Sequence, residues 1–226
     1  MKHFFVTGTG TDVGKTFISA GLAWQMSQVS KDSFIYIKPV ASGVEKNNPD
    51  VEEVLKSIKA FSNAKAEGWF TYKEPAAPYI AAKSENKTLP YQEIIQRIAS
   101  LKANYINMLI EGAGGVLVPL TENMMVIDLI VDLQLPVIVI GHYGLGTVNH
   151  TCLTIEALKR RKCKIAGVVL NQTQKIVNEE FRLAAETNSQ EIERVSEVKV
   201  LGSVKYGEMY DSQNFNAIWN KLNLFT

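Results

Sequence analysis

Glycines, a lysine and a threonine near the N-terminus are spaced as a phosphate-binding loop requires. Residues 3–16 read HFFVTGTGTDVGKT, an apolar run followed by three glycines and then by Lys15 and Thr16. Glycine adopts backbone torsions closed to other residues and lets the main chain approach an anion. The N–H groups of such a loop, and of a helix after it, face phosphate with partial positive charge. Lys15 would reach the terminal phosphates and the Thr16 hydroxyl would bind Mg²⁺, so the sequence predicts a nucleoside triphosphate site.

The glycine spacing departs from the commonest loop of this kind. Counting back from Gly14, that loop has its leading glycine at the position of Thr9, and Gly8 lies one residue too far upstream. The chain therefore has a variant loop. The alternative is a helix start that merely uses glycines, and the succession of apolar strand, loop and helix argues against it.

The composition indicates a globular protein and argues against two classes of partner. The chain has 226 residues, 46% of them hydrophobic and 21% charged, which is enough for one domain with a sizeable core. A formal net charge of +1 gives no electrostatic reason to expect nucleic acid or a membrane surface. The hydropathy predicts no membrane span, and the N-terminal residues enter a strand without a secretion signal. We therefore predict a single cytoplasmic domain over residues 1–226.

Apolar runs alternate with helical periodicity along the chain, which is typical of a parallel sheet with helical connections. The predicted strands cover residues 3–8, 33–38, 106–111, 136–141, 164–170 and 198–203. The predicted helices cover residues 15–29, 50–60, 91–103, 124–134, 147–162, 177–188 and 213–222. With the phosphate loop, this order predicts an α/β fold of the P-loop NTPase type, a mostly parallel sheet with helices on both faces.

Ligands of such sheets bind beyond the carboxyl ends of the strands, so the residues that follow each strand are candidates for the site. Glu111 ends the third predicted strand and precedes Gly112, Ala113 and Gly114. A carboxylate there is suited to bind Mg²⁺, and small residues let a ligand approach the backbone. The alternative is a glutamate that only caps a turn.

Lys38 ends the second predicted strand, where its ammonium would face the same crevice. A lone lysine at a strand end is usually only solvated. The nearby Ser42 and Gly43, together with the glycine loop, favour a role in neutralising anionic oxygen atoms.

Asn171 follows the fifth predicted strand and is placed to bind the edge of a base with its amide. GTP-binding proteins usually have NKxD at this point, with an aspartate for guanine. This chain reads NQTQ from Asn171, without that aspartate, so the sequence favours adenine and ATP.

A second candidate anion site is the start of the helix predicted over residues 147–162. Gly144, Gly146 and Asn149 lie at its N-terminus, which is suited to a substrate carboxylate. A simple turn between strand and helix is an equally good interpretation.

Taken together, these segments resemble the dethiobiotin synthetases of biotin biosynthesis. VTGTGTDVGKT, IKPVASG, IEGAGGVLVPL and GLGTVNH occur in that order, with Asn171 after the next strand. The resemblance extends from Val6 to about Tyr206. It implies an ATP- and Mg²⁺-dependent cyclo-ligase: CO₂ adds to one amine of 7,8-diaminopelargonate, ATP phosphorylates the carbamate, and the second amine displaces phosphate to close a cyclic urea.

The resemblance also implies roles for individual residues. Catalysis would depend on Lys15, Lys38 and Thr11. The residues implied for ATP binding are Asp12, Val13, Gly14, Lys15, Thr16, Phe17, Glu111, Gly112, Ala113, Gly114, Asn171, Val204 and Lys205. Those implied for Mg²⁺ are Thr16, Asp50 and Glu111.

Members of this family are homodimers with the site at the interface. The substrate would contact one subunit through Thr11, Lys38, Ser42 and Pro78. Its carboxylate tail would meet the helix start of the other subunit, formed by Gly146, Thr147, Val148 and Asn149.

Two features depart from the family pattern. The connection that carries the second acidic Mg²⁺ ligand is short, and Asp50 is favoured because Pro-Asp suits a first helical turn. Glu45, Glu52 and Glu53 remain alternatives. The loop after the last strand, which includes Lys205, lacks the usual proline, so the choice between ATP and other triphosphates stays open.

Two rival interpretations share the fold. An amidotransferase of the cobyrinate type needs a glutaminase domain with a nucleophilic cysteine, for which 226 residues leave no room. A partitioning or switch ATPase, acting through a protein partner, has an extra lysine early in its loop, as in KGGxGKT. Here no lysine precedes Lys15 in the loop.

Overall fold

The computed structural model describes residues 2–29, 33–61, 64–175 and 182–223. The strands are β1 (Lys2–Gly8), β2 (Phe34–Ser42), β3 (Ala64–Tyr72), β4 (Asn107–Gly115), β5 (Val137–His142), β6 (Ile165–Asn171) and β7 (Val200–Val204). The helices are α1 (Lys15–Val29), α2 (Pro49–Ile58), α3 (Pro78–Ser84), α4 (Tyr91–Asn104), α5 (Val126–Leu133), α6 (Thr147–Arg160), α7 (Arg182–Ser196) and α8 (Gln213–Asn223).

The seven strands form one parallel sheet in the order β3-β2-β4-β1-β5-β6-β7. Side chains of a strand alternate between its two faces, and β1 shows this clearly. Phe5 packs with residues of α3 to α7, whereas Phe4 and Val6 pack with residues of α1, α2 and α8. The prediction of a parallel sheet covered by helices on both faces is therefore confirmed.

An opening lies between β2 and β4, which are neighbours in the sheet. Their pairing ends at Ile37 and Ile110. Beyond that point β2 continues along β3, and β4 continues along β1. The two strands therefore diverge at Lys38 and Glu111, which flank the gap.

The sequence predicted that Lys38 and Glu111 would end their strands, and this is wrong. β2 continues to Ser42 and β4 to Gly115. Each extension pairs with the neighbouring strand on the side away from the gap, β3 for β2 and β1 for β4, so the two residues lie inside strands and still border the opening.

One strand and one helix were not predicted. β3 is an edge strand in which Tyr72 is the buried residue, so it lacks the continuous apolar run of the central strands. α3 has 7 residues, too few to show helical periodicity. α7 continues to Ser196, beyond the predicted end at 188, while the predicted start at 177 lies outside the described residues. Among the described residues, no helix is long and apolar enough to cross a membrane.

Candidate active site

The phosphate loop connects β1 to α1 and has a backbone that requires glycine at one position. Gly14 has φ +81°, and a Cβ there would lie 2.0 Å from Nδ2 of Asn171. That nitrogen donates a hydrogen bond to the carbonyl oxygen of Val13 at 3.0 Å. Asn171 is buried at the end of β6, so a distant strand braces the loop. Lys15 Nζ donates to the carbonyl oxygen of Gly10 at 2.9 Å.

The three residues proposed for Mg²⁺ lie together in the opening between β2 and β4. Thr16 Oγ1 lies 2.7 Å from Asp50 Oδ1 and 3.0 Å from Glu111 Oε1. Lys38 Nζ lies 2.8 Å from Asp50 Oδ2 and 2.7 Å from Glu111 Oε1. Two carboxylates, one hydroxyl and one ammonium thus form a single cluster of Asp50, Glu111, Thr16 and Lys38, called the acidic cluster below.

Local sequence explains how Asp50 reaches this cluster. Asn48 caps α2, because its side chain accepts a hydrogen bond from the Asp50 backbone N–H at 3.1 Å, and Pro49 opens the first turn. Two of the alternative acids on this segment bond elsewhere: Glu52 accepts from Asn47, and Glu53 accepts from Tyr210. Glu45, the third alternative, is exposed.

A cleft of about 610 Å³ contains this cluster and the phosphate loop. Its volume is in the range of small-molecule binding sites. The residues that line it are Thr11, Asp12, Gly14, Lys15, Thr16, Lys38, Ala41, Ser42, Asp50, Pro75, Ala76, Ala77, Pro78, Glu111, Ala113, Gly114 and Val118. Five of these lining residues were not among the predicted site residues: Ala41, Pro75, Ala76, Ala77 and Val118. Ala41 lies within the segment that carries Lys38 and Ser42.

Similarity to known proteins narrows the interpretation of this cleft. A family model described as an AAA domain matches residues 2–214. The chain is 37% identical over 204 residues to the ATP-dependent dethiobiotin synthetase of Bacillus subtilis (strain 168), covering 89% of this chain and 86% of that protein. It is 35% identical over 223 residues to that of Bacillus velezensis, covering 98% and 94%. The chain belongs to the dethiobiotin synthetase family. The corresponding protein of Endomicrobium trichonymphae is 34% identical over 222 residues, covering 96% and 98%.

Two solved structures of other ATPases have a similar fold. The cell division ATPase MinD of Pyrococcus furiosus superposes with a TM-score of 0.64 at 15% identity, with 100% of each chain covered. A ParA family ATPase of Chlorobium tepidum gives 0.61 at 12%, with 98% of each chain covered. At such identities the likeness shows the fold alone. This chain thus shares its fold with these two ATPases.

The lysines of this family member differ in their surroundings. Burial lowers the pKa of Lys15, and the nearby Lys38 ammonium lowers it further. Burial also acts to lower the pKa of Lys38, but the Glu111 and Asp50 carboxylates outweigh it, so that pKa is raised. Lys38 therefore remains charged. An anion bound beside Lys15 would act against burial and raise the pKa of this lysine again.

The carboxylates are held by the same contacts. Burial acts to raise the pKa of Asp50, but Lys38, followed by the Thr16 hydroxyl, outweighs it and lowers that pKa. Glu111 is fully buried, and its Oε2 accepts a hydrogen bond from the Tyr36 hydroxyl at 3.0 Å. Sequence reasoning missed Tyr36. Its signal was its position two residues before Lys38, which puts both side chains on one face of β2.

Several residues implied for ATP binding lie outside the lining of the cleft. Phe17 packs against the rings of Tyr210 and Phe215. Val204 is buried at the end of β7, and the Lys205 backbone N–H donates to Glu208 at 3.1 Å. Val13, Gly112 and Asn171 are also absent from the lining: the Gly112 carbonyl oxygen accepts from Lys38 at 3.2 Å, and Asn171 donates to the Val13 carbonyl oxygen in the phosphate loop. The contacts of Phe17, Val204, Lys205 and Asn171 with ATP stay predictions.

The start of α6 is not part of the cleft of the same chain. Gly146 caps the helix with φ +86°, and Thr147 is buried against Thr151. Val148 is half-buried and Asn149 is exposed. None of the four residues from Gly146 to Asn149 lines the cleft.

Proposed function

We propose that this chain forms dethiobiotin from 7,8-diaminopelargonate and CO₂, with ATP converted to ADP and phosphate. The observation that carries the proposal is that a phosphate loop, two carboxylates and a second lysine line one cleft in a member of the dethiobiotin synthetase family. The proposal treats residues 1–226 as one ligase domain.

The oxygen atoms of the cluster fit Mg²⁺. Thr16 offers a hydroxyl oxygen, which lies 2.7 Å from Asp50 Oδ1 and 3.0 Å from Glu111 Oε1, and these two residues offer carboxylates. Mg²⁺ prefers oxygen ligands of this kind and is commonly shared with substrate phosphates. When bound, it would neutralise charge on the phosphate oxygens and orient them.

The proposed reaction has three balanced steps. One amine nitrogen attacks the carbon of CO₂ and loses a proton, which gives a carbamate. A carbamate oxygen attacks the γ-phosphorus of ATP, and ADP leaves. The second amine nitrogen attacks the carbonyl carbon and loses a proton, and phosphate leaves as the ring closes. Phosphorylation is needed because an unmodified carbamate oxygen is a poor leaving group.

Charge placement supports the second step, in which two anions must meet. Lys15 would contact the phosphates from the loop. Lys38 stays charged because its carboxylate neighbours raise its pKa, and it lines the cleft where the carbamate and the γ-phosphate would approach. Fixed cations in a water-poor site stabilise developing negative charge without reorganisation. Thr11 and Ser42 would donate hydrogen bonds to the substrate.

The shape of the cleft suits ring closure. Pro75 and Pro78 line the cleft, and their rigid rings would restrict the diamine. Holding both amines in one orientation makes the closure effectively intramolecular, which lowers the entropic part of the barrier.

We further propose a homodimer that works in the cytoplasm. Gly146, Thr147, Val148 and Asn149 would take the substrate carboxylate at the N-terminus of α6, but in one chain they lie outside the cleft. A second copy would supply them. Leu145, which precedes this helix, and Leu153, in its middle, have exposed side chains that suit such an interface.

The test measures phosphate release from MgATP and bicarbonate, with and without 7,8-diaminopelargonate, and follows the organic product by mass. We expect release that depends on the diamine and on Mg²⁺, with a product that has gained one carbonyl group. Slow ATP hydrolysis that ignores the diamine would contradict the proposal and favour a switch ATPase acting through a protein partner.

A further inference from the structure

Tyr36 reaches the acidic cluster from inside the protein. It lies on β2 and is fully buried, and it does not line the cleft. Its hydroxyl donates a hydrogen bond of 3.0 Å to Glu111 Oε2. Lys38 lies two residues further along the strand and points to the same face, so β2 contacts Glu111 twice.

The two oxygen atoms of Glu111 have different partners. Oε1 accepts from Lys38 at 2.7 Å and lies 3.0 Å from the Thr16 hydroxyl, on the side of the cleft. Oε2 accepts from Tyr36 on the side of the core. The last torsion of a glutamate side chain is broad, so packing alone fixes the carboxylate plane poorly. Two donors on opposite oxygens fix it.

We propose that Tyr36 is a positioning residue for Mg²⁺ binding: its hydroxyl holds Glu111 Oε2 so that Oε1 faces Thr16 and Asp50. The inference rests on the Mg²⁺ role proposed above for Glu111. Residues that orient a metal ligand from behind commonly change metal affinity by roughly 10- to 100-fold when altered.

The competing interpretation is an ordinary core tyrosine whose hydroxyl happens to find an acceptor. The two interpretations differ in what Tyr36→Phe changes. A core role changes only stability, whereas a positioning role changes the metal concentration that the protein needs. Tyr91, on α4, offers a matched control. Its hydroxyl donates to Asp132 of α5 at 2.7 Å, and neither residue lines the cleft.

The experiment measures Mn²⁺, used in place of Mg²⁺, binding to the ADP complex by electron paramagnetic resonance. Wild type, Tyr36→Phe, Tyr91→Phe and Glu111→Gln are compared as full chains. We expect Tyr36→Phe to raise the Mn²⁺ Kd roughly tenfold and Tyr91→Phe to leave it unchanged. In the turnover assay, Tyr36→Phe should need more Mg²⁺ for half-maximal rate and approach the wild-type kcat when Mg²⁺ is saturating.

The outcomes separate this inference from the proposed function. Weaker Mn²⁺ binding in Glu111→Gln with a wild-type Kd in Tyr36→Phe would overturn the role of Tyr36 alone. A wild-type Kd in Glu111→Gln would overturn the metal role of Glu111 and, with it, the inference.

A measurement on the unaltered protein covers the case in which Tyr36→Phe does not fold. Wild-type chain labelled with ¹³C at the tyrosine ζ carbon is titrated with Mg²⁺ in the presence of ADP. A change of charge at Glu111 should shift the signal of the tyrosine bonded to it. The absence of any shifted tyrosine signal would overturn the inference.

Discussion

The acidic cluster and the start of α6 are built in opposite ways. Glu111 and Lys38 are buried, and their charged atoms contact each other and their neighbours within 3.2 Å. At the start of α6 the capping residue is Gly146, which has no side chain to accept from the first N–H groups of the helix, and the adjacent Leu145 is 70% exposed. The groups that we propose for ATP therefore lie together within one chain, whereas the start of α6 presents backbone N–H groups and apolar surface.

Loss of the loop lysine should produce the largest effect and would confirm that the cleft depends on charges of its own chain. In Lys15→Ala the phosphates lose their cation, so we expect turnover to fall by about 10³-fold or more. Phosphate release measures it. Lys59→Ala, which removes an exposed lysine near the end of α2, should keep the wild-type rate. A Lys15→Ala rate within tenfold of wild type would contradict the assignment.

Loss of the second lysine should cost rate more than nucleotide affinity. Lys38→Met removes the ammonium that faces the proposed carbamate, and we expect kcat to fall about 10²-fold with ATP affinity changed little. Because Glu111 and Asp50 lose their partner, the free energy of unfolding should also fall, by about 3 kcal/mol. Steady-state turnover measures kcat, nucleotide titration measures ATP affinity, and urea unfolding measures the free energy of unfolding. An unchanged kcat would remove Lys38 from the mechanism.

A negative charge placed at the start of α6 should change the KM for the diamine and leave the KM for ATP unchanged. Asn149→Asp adds a carboxylate in the first turn, where it would repel the substrate tail, so we expect KM for the diamine to rise about tenfold. The helix dipole favours the new charge, so stability should not fall. Steady-state kinetics measure both KM values. Asn149→Gln is the neutral control, and an equal rise in the ATP KM would contradict the separation of the two regions.

Mixing Lys15→Ala with Asn149→Asp, each impaired at low diamine, tests whether the two regions of one site come from different chains. After subunit exchange, half of the dimers contain one Lys15→Ala chain and one Asn149→Asp chain, and one of the two sites in each such dimer is intact. Activity at low diamine should therefore recover to about one quarter of wild type. Mixtures that stay at the average of the two variants would place both regions in one chain.

Much of the cleft followed from the sequence because its residues lie in short local motifs. The loop before Thr16, the lysine of KPVASG and the glutamate of EGAGG each show their chemistry within a few residues. Asp50 could be favoured over its neighbours because Asn48 and Pro49 mark a helix start. These signals are local, so one sequence contains them.

The features that the sequence did not predict depend on which strands become neighbours in the sheet. Tyr36 reads as a core residue of an apolar strand, and its acceptor lies 75 positions away on β4. The sequence of neither strand predicts the strand order that puts β2 beside β4. β3 was missed for a related reason, because its half-buried pattern with Gly68 at its centre gives no apolar run. Its pairing with β2 is what carries that strand on to Ser42.

The smallest expected effect is a pH dependence of the free energy of unfolding, which comes from the acidic cluster and not from the start of α6. The pKa of Asp50 is lowered below its ordinary value of 3.8, because Lys38 outweighs burial. The stability that this ion pair contributes is therefore present above about pH 4 and is lost as the pH falls through the folded-state pKa. Asp50→Asn should be less stable than wild type by about 1 kcal/mol at pH 7, and the gap should shrink by pH 3. Urea unfolding at both pH values measures it, with the exposed Glu52→Gln as control. A gap that is the same at both pH values would mean that Asp50 contributes through packing rather than through its charge.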